Sequence, residues 1–250
     1  MTAIQTAIRP GSPPAGAPGA PLVLALPKGR ILEECAPLLA RAGIRPAPDY
    51  ADEASRRLRF PTDDPALDVV RVRPFDVATF VAFGAAALGI CGADVLMEFD
   101  YPEIYAPLDL GIGSCRMVVA EPAEGAGEED LRRLSRVRVG TKYPNVARKH
   151  FAARGIRADV VVLNGSVELA PGLGIASRIV DLVQTGATLA ANGLVVTEVI
   201  APVTSRLIVN RGALKTGDEM LFSLIAHFRA ALEAGPIAGP LADLVAKQHG

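Results

Sequence analysis

The sequence has few of the residues that usually form disulfides or metal sites, and almost no net charge. Three cysteines, Cys35, Cys91 and Cys115, are widely spaced, odd in number and form no Cys-x-x-Cys motif, which favours a reducing compartment. The three histidines are equally scattered, so we expect no protein-ligated metal site. A formal net charge of −1 argues against generic attraction to nucleic acid or anionic membranes. Any phosphate binding therefore depends on local basic groups.

The sequence also lacks a secretion signal and a convincing membrane span. The first 21 residues are rich in Pro, Gly and Ala, without a charged start and an apolar middle, and we expect residues 1–21 to be a disordered extension. An uncharged run over 77–93 approaches the length of a membrane span. Three glycines interrupt it and Asp76 and Asp94 bound it, which favours a helix followed by a buried strand. We therefore expect a cytoplasmic protein that does not enter a membrane.

Short apolar runs alternate with amphipathic segments along the chain. Half of the 250 residues are hydrophobic, enough for one large domain or two modest ones. The alternation is typical of an α/β protein with mostly parallel sheets. The predicted strands cover 22–26, 67–72, 86–91, 117–120, 137–141, 160–163 and 179–183. The predicted helices run from 31 to a stop at 43, and over 76–83, 94–99, 145–154 and 218–234, with Asp76 as the cap of the second.

The most informative segment is 179–189, where a buried strand with an acidic residue precedes small and hydroxylic residues that open a short helix. Backbone N–H groups and the hydroxyls of Thr185 and Thr188 are available to an anion there, aided by the helix dipole. Gly186 lets the backbone approach a phosphate closely, and Asp181 is placed to accept hydrogen bonds from sugar hydroxyls. The segment predicts a site for a phosphorylated ribose, with an ordinary threonine-capped turn as the alternative.

Basic residues at the ends of early strands form a second candidate anion site. Lys28 and Arg30 lie in the first strand-to-helix turn, and such turns occur at the carboxyl ends of parallel strands, where α/β proteins bind ligands. Arg71 and Arg73 end the next strand, near Asp76, and are expected to converge on the same crevice. The alternative is that these are ordinary solvated surface groups.

Seven segments, taken together and in this order, resemble the ATP phosphoribosyltransferase family over roughly residues 22–225. Each is weak alone, whereas the ordered set is specific. The segments are LALPKGR at 24–30, VRVRPFD at 70–76, LGICG at 88–92, LGIGSCR at 110–116, TKYP at 141–144, NGSVELAP at 164–171 and DLVQTGATLAANGL at 181–194.

This resemblance implies an α/β fold of two domains, of periplasmic-binding-protein type II, with the active site in the interdomain cleft. Domain I is expected to hold residues 22–112 plus 195–225, and domain II residues 113–194. Residues 226–250 are expected to form a C-terminal helix and tail. The chain ends without room for the regulatory domain of the long-form enzymes, so it resembles the short form.

The resemblance also implies a reaction and partners. The 5-phosphoribosyl group of phosphoribosyl pyrophosphate is transferred to N1 of ATP, giving phosphoribosyl-ATP and pyrophosphate, the first step of histidine biosynthesis, and Mg²⁺ is required. The short form works with a regulatory subunit similar to a histidyl-tRNA synthetase. We therefore expect a homodimer within a hetero-oligomer, with no nucleic acid and no membrane as partner.

The resemblance gives the candidate site residues their roles. Asp181 is expected to bind the ribose hydroxyls. The resemblance also implies that Glu168 makes a polar contact in the cleft, and the alternative is an ordinary surface carboxylate. Tyr143 is expected to pack, with stacking as the alternative, and Cys115 is expected to be a buried small residue more than a nucleophile. The expected ligands of the ribose 5-phosphate are Thr185, Gly186, Ala187 and Thr188, with Gln184 as a further substrate-binding residue. Those of the polyphosphate charge are Lys28, Arg30 and Arg73.

Two positions depart from the family pattern, because Ala87 and Ser177 stand where the family commonly has Asp. If either acid contacts the nucleotide, affinity suffers, since a charged hydrogen bond contributes about 1.5–3 kcal/mol. Two other classes of function stay open at this point. One is a catalytically degenerate paralogue, and the other is a cytoplasmic solute-binding module of the same fold.

Overall fold

The structure is a computed structural model that describes residues 19–52, 54–124 and 136–235. The predicted extension at 1–21 lies almost wholly outside these residues, as does the predicted tail from 236. The described part divides into two compact units. The first holds residues up to 91, 101–110 and those from 206, and the second holds 92–100 and 111–205. Among the described residues, no helix is long and apolar enough to cross a membrane.

Eleven strands and eight helices make up the described residues. The strands are β1 (Leu22–Pro27), β2 (Arg59–Pro61), β3 (Leu67–Val72), β4 (Leu88–Gly92), β5 (Ile104–Asp109), β6 (Cys115–Pro122), β7 (Arg136–Thr141), β8 (Arg157–Val162), β9 (Arg178–Val183), β10 (Leu194–Val203) and β11 (Ser205–Asn210). The helices are α1 (Arg30–Arg41), α2 (Pro74–Ala82), α3 (Ala93–Phe99), α4 (Pro144–Ala152), α5 (Leu169–Gly172), α6 (Ala187–Ala191), α7 (Arg211–Lys215) and α8 (Glu219–Glu233).

The first unit is built on a six-stranded sheet in the order β2-β3-β1-β4-β11-β5. β1 is parallel to both β3 and β4, while β2 is antiparallel to β3 and β5 is antiparallel to β11. The sheet is therefore mixed, and the expectation of mostly parallel sheets is wrong. The reason is local, because β2 and β3 are joined by a short turn, which permits only antiparallel pairing.

The second unit is built on a five-stranded sheet in the order β10-β6-β9-β7-β8. β8 and β9 run parallel to β7, whereas β6 is antiparallel to both β9 and β10. The parallel strands that lead to α4 and α6 place the turns after β7 and β9 at the same edge of the sheet. This edge carries most of the predicted ribose site.

The two units differ from the predicted domain boundaries in residues 92–100, 111–112 and 195–205. Residues 195–205, predicted for domain I, lie in the second unit because β10 pairs with β6 along its whole length. Residues 92–100 also lie in the second unit, since side chains of α3 bond to Tyr143, just before α4, and to Asn145 in its first turn. No strand is predicted from the sequence over 194–203, where β10 has several exposed apolar side chains and two register shifts.

The start of α2 differs from its prediction. The helix begins at Pro74 with Arg73 at the N-cap position, and Asp76 lies inside the first turn. Proline at the first helical position has a backbone already suited to the helix, and an acid in the first turn still interacts favourably with the helix dipole. Asp76 therefore stabilises this terminus by its charge. α8 starts as predicted, since the Asp218 carboxylate accepts bonds from the amides of Met220 and Leu221.

Arg71 lies in the core of the first unit, and the expectation that it joins Arg73 at an anion site is wrong. The residue is 3% exposed. Its guanidinium donates to the carbonyls of Tyr50 at 2.7 Å, Asp52 at 2.9 Å and Ser55 at 3.1 Å. It also lies over the ring of Phe60, 5.1 Å from the centroid. Arg71 therefore satisfies three backbone carbonyls between Tyr50 and Ser55.

We expect Arg71→Met to destabilise the protein and Arg73→Met to leave its stability nearly unchanged. Methionine keeps the volume of Arg71 but leaves buried carbonyls without their charged donor, at a cost of about 3 kcal/mol. Arg73 is exposed, and surface substitutions change stability by roughly 0.5 kcal/mol or less. Urea unfolding of both variants measures the difference. Equal stability of the two variants would contradict the structural role of Arg71.

Candidate active site

The loop after β9 is fixed at both ends by one hydrophobic cluster. Val183 at the end of β9 and Leu189 in α6 are both buried, and they pack with Val167 and Ala170 beneath the loop. Gly186 has a φ of 83°, in the left-handed region that other residues adopt only with strain. The core therefore holds residues 184–188 in one path, with Gly186 making the bend possible.

Within this loop the exposed groups are those expected to meet a phosphate. Thr185, Ala187 and Thr188 are exposed, while Gln184 and Gly186 are partly buried. The Thr185 hydroxyl accepts a bond from the amide of Ala187 at 3.4 Å. α6 has only five residues, so its dipole contributes less to anion binding than that of a longer helix would. Backbone amides and hydroxyls remain as the groups that can bind an anion.

Asp181 lies inside β9, opposite Val118 of β6, two residues before the strand ends. Burial raises the pKa of its carboxyl group above the usual range, although the amide of Leu182 donates to it at 2.8 Å and opposes this effect. Glu168 raises the pKa of Asp181 further and Lys142 lowers it. The structure thus brings Asp181, Glu168 and Lys142 together beside the loop.

A further acid at this site, Asp94, was not among the predicted site residues. It is buried in the first turn of α3, and it also raises the pKa of Asp181. The hydroxyl of Tyr143 donates to Asp94 at 2.8 Å. Burial raises the pKa of Asp94, and the bond from Tyr143 lowers it. The two residues are 49 positions apart, so no local sequence signal could have paired them.

Tyr143 and Cys115 differ in part from their expected roles. Tyr143 is buried, as expected of a packing residue, but its hydroxyl also bonds to Asp94, which the sequence analysis did not foresee. Burial raises the pKa of Tyr143, and the Asp94 carboxylate raises it further, so the phenol stays protonated as a donor. Cys115 is only half-buried at the start of β6, where full burial was expected.

The predicted basic residues lie in the first unit. The amide of Lys28 donates to the carbonyl of Val72 at 2.8 Å, so the turn after β1 lies against the end of β3, which Arg73 follows. Lys28 and Arg73 are exposed, whereas Nε of Arg30 lies 3.3 Å from a carboxylate oxygen of Glu34. The first unit therefore presents a basic edge at the carboxyl ends of β1 and β3. That these side chains face the 184–188 loop stays a prediction.

Ala87 and Ser177, the two departures from the family pattern, lie at the amino ends of strands. Ala87 immediately precedes β4, and Ser177 immediately precedes β9, where its amide and hydroxyl bond to the carbonyl of Arg138. A six-residue strand at about 3.3 Å per residue puts Ser177 some 20 Å from the loop that follows β9. Neither residue is at the carboxyl end of a strand, where ligands bind in such folds.

The acidic residues do not form a metal cage. Within the described ranges, no group of three or more His, Cys, Asp or Glu side chains is arranged to hold a metal ion. A cavity of about 450 Å³, lined by α3, α4 and β10, includes Met97, His150 and Ile200 but none of the predicted site residues. The chemistry of the site is therefore that of separate carboxylates, one lysine and a loop of amides and hydroxyls.

Comparison with known proteins identifies close relatives. Residues 73–230 match the HisG family, described as ATP phosphoribosyltransferase. The chain is 66% identical to the ATP phosphoribosyltransferase of Gluconobacter oxydans, over 85% of this chain and 88% of that protein. It is 64% identical to the ATP phosphoribosyltransferase of Paramagnetospirillum magneticum, over 84% of this chain and 96% of that protein.

Two solved structures resemble this fold. A chain of the ATP phosphoribosyl transferase (HisG:HisZ) complex from Thermotoga maritima has a TM-score of 0.73 and 31% identity, over 86% of this chain and 100% of that chain. The ligand-binding core of GluR0 with L-glutamate has a TM-score of 0.53 over 86% of this chain and 94% of that chain, and at 9% identity it shows the fold alone. The predicted two-domain α/β fold of periplasmic-binding-protein type II is confirmed.

We expect Lys142→Met to raise the pKa values of both Asp181 and Asp94. Lys142 favours the charged form of each carboxylate and so lowers both pKa values. Without Lys142, less opposes the effect of burial, which raises them. Titration of the carboxyl carbons by NMR measures the two midpoints. Lys149→Met is the matched control, because Lys149 pairs with Asp100 instead. Unchanged or lowered midpoints in Lys142→Met would contradict the arrangement.

Proposed function

The chain belongs to the ATP phosphoribosyltransferase family, and on this premise we propose that its second unit binds phosphoribosyl pyrophosphate for transfer of the phosphoribosyl group to N1 of ATP. The enzyme is a transferase of the first step of histidine biosynthesis. The observation that carries the site assignment is the loop 184–188, held on the core beside Asp181. Its amides and hydroxyls suit a ribose 5-phosphate, and the carboxylate suits the ribose hydroxyls.

In this proposal the protein contributes positioning and charge, and no covalent intermediate is needed. The lone pair of adenine N1 forms the bond to the anomeric carbon, and the electrons of the carbon–oxygen bond leave with pyrophosphate. Positive charge develops on the ribose ring and then on adenine, which loses an N6 proton to water. Asp181, partly buried beside the loop, stabilises this charge more strongly than a solvated carboxylate would.

The leaving pyrophosphate and the ATP phosphates carry the negative charge that the basic residues must balance. Lys28 and Arg73 are exposed at the carboxyl ends of β1 and β3, and Arg30 is half-exposed beside Glu34. We assign these three side chains to the polyphosphate groups. A guanidinium matches two phosphate oxygens at once, which favours Arg30 and Arg73 for the pyrophosphate.

Mg²⁺ is proposed to arrive with the substrate. The described residues hold no cluster of three or more metal-ligating side chains, so they do not form an all-protein cage for Mg²⁺. Magnesium is commonly held by substrate phosphates with several waters and only one or two carboxylates. We therefore write the ion as part of the phosphoribosyl pyrophosphate complex, and we derive no step from a protein-bound metal.

A regulatory partner is proposed from the same relationship. The HisG:HisZ complex from Thermotoga maritima contains a chain whose full length aligns with 86% of this chain. This match supports the short form of the enzyme, in which the catalytic chain assembles with a separate subunit similar to a histidyl-tRNA synthetase. We propose a homodimer of this chain within such a hetero-oligomer.

The two alternatives are less well supported. The likeness to GluR0 concerns the fold alone, so it gives no reason to propose a solute-binding module. A degenerate paralogue was suggested by Ala87 and Ser177, and both lie at the amino ends of strands, opposite to the strand ends where ligands bind in such folds. The groups assigned to the phosphate and the ribose are all present.

The reaction itself is tested by incubating the full chain with ATP and phosphoribosyl pyrophosphate, alone and with the regulatory subunit. We expect release of pyrophosphate and formation of phosphoribosyl-ATP when Mg²⁺ is present. Addition of EDTA is expected to stop turnover without lowering the melting temperature, because the metal belongs to the substrate complex. Tight binding of both substrates without turnover would favour a binding module instead.

We expect Thr188→Ala to weaken binding of phosphoribosyl pyrophosphate by about tenfold and that of ATP by about twofold or less, since one hydroxyl bond to a charged phosphate is lost. Isothermal titration with each substrate measures the two dissociation constants. Thr216→Ala serves as the control, because that hydroxyl bonds to the Ala213 carbonyl of its own helix. Equal losses for both substrates, or none, would count against the loop assignment.

A further inference from the structure

We propose that Tyr143 is a positioning residue of this site, which holds the Asp94 carboxylate as a second negative charge, beside Asp181, for the cationic transition state. The inference rests on the proposed function and deepens it. Neither residue was assigned a role in the reaction by the motifs in the sequence. Three features support the proposal: the hydrogen bonds that fix Tyr143, the room that Gly92 leaves for the Asp94 carboxylate, and the charged groups near that carboxylate.

A chain of buried hydrogen bonds ties Tyr143 to the strand that carries Asp181. The hydroxyl of Thr141 donates to the carbonyl of Val180, the residue before Asp181, at 2.6 Å. The same hydroxyl accepts the amide of Tyr143 at 2.8 Å. The phenol of Tyr143 then donates to Asp94 at 2.8 Å. A displacement of Tyr143 would therefore move Asp94 relative to Asp181.

The backbone before α3 leaves a defined place for this carboxylate. Asp94 is 6% exposed and lies two residues after Gly92. A Cβ atom added to Gly92 would collide with Oδ1 of Asp94, so glycine is what allows the carboxylate to fold back over the end of β4. The remaining oxygen, Oδ2, accepts from Tyr143. The carboxylate is thus constrained from both sides.

Attachment of α3 to α4 does not by itself explain this arrangement. One helical turn after Asp94, the Glu98 carboxylate accepts the amide of Asn145 at 3.0 Å and that of Val146 at 3.1 Å. The side chain of Asn145 donates back to the carbonyl of Glu98 at 3.1 Å. Glu98 therefore already secures the two helices, and a neutral partner would serve Tyr143 equally well for packing.

The charge of Asp94 costs stability in the resting protein. The groups that favour its charged form are the Tyr143 phenol, the backbone amides of Asp94 and Val95, and Lys142, while burial opposes that form. The carboxylates of Asp94 and Asp181 repel one another. Two carboxylates that destabilise one another become favourable when positive charge forms between the ribose and adenine. Such an arrangement is expected where the transition state, more than the resting enzyme, is stabilised.

We expect Tyr143→Phe to lower kcat and kcat/KM together by roughly ten- to a hundredfold, with KM values within about twofold, because the lost bond acts in the transition state. Without the phenol, which lowers the pKa of Asp94, that pKa rises. The acidic limb of the kcat/KM profile should therefore move to higher pH. Tyr50→Phe is the matched control, since its buried hydroxyl has no hydrogen-bond partner among the described residues.

Asp94→Asn and the double variant separate positioning from packing. Asparagine keeps an acceptor for Tyr143 and removes the charge, so the protein should fold while kcat falls at least as far as in Tyr143→Phe. If Tyr143 acts through Asp94, adding Tyr143→Phe to Asp94→Asn causes no further loss of kcat and no further change of the pH profile. Steady-state kinetics of the full chain, with melting temperatures for each variant, measure these effects.

Two results would overturn the inference. One is wild-type kcat and pH dependence in Tyr143→Phe or Asp94→Asn, whatever the change in melting temperature. The other is a double variant whose losses multiply, which would mean that the two residues act independently. In either case the wild-type enzyme still releases pyrophosphate, so the proposed function is not contradicted. If the wild-type enzyme did not catalyse that reaction, both the proposed function and the role of Tyr143 would be contradicted.

Discussion

The second unit depends on two buried carboxylates that must find hydrogen-bond donors. Asp94 and Glu98 lie one turn apart on the short helix α3, and water reaches neither freely. An unpaired buried carboxylate is costly, so each requires a fixed partner. The partners are the phenol of Tyr143, in the turn between β7 and α4, and the amides of Asn145 and Val146, in the first turn of α4. The helix α3 is thereby fixed to the start of α4.

The site follows from that constraint and from the core below it. The cluster that includes Val183 and Leu189 fixes the loop for the phosphate, and β9 carries Asp181 directly before it. The turn held by α3 adds Tyr143 and, next to it, Lys142. Amides, hydroxyls and acids are thus held in place by packing and buried bonds, which suits an enzyme that works by positioning and charge.

Local sequence patterns predicted those strands, helices and turns whose cause lies in neighbouring residues. The strand over 67–72, the helix that Asp218 caps and the glycine-dependent bend at Gly186 all have their causes within a few residues. Contacts between distant segments could not be read in this way. Arg71 looked like a surface cation because its carbonyl partners lie 16–21 residues away in a loop without a pattern. Family motifs indicated the reaction, yet they gave no reason to pair Tyr143 with Asp94.

The position of β11 in the first sheet also determines the order in which the protein can be completed during synthesis. β11 lies between β4 and β5, yet it follows them in the chain by nearly a hundred residues or more. Residues 92–205 leave the ribosome earlier and contain every strand of the second sheet. The second sheet can therefore close while β4 still has an open edge, and that edge is exposed to aggregation or chaperone binding until residues 205–210 emerge.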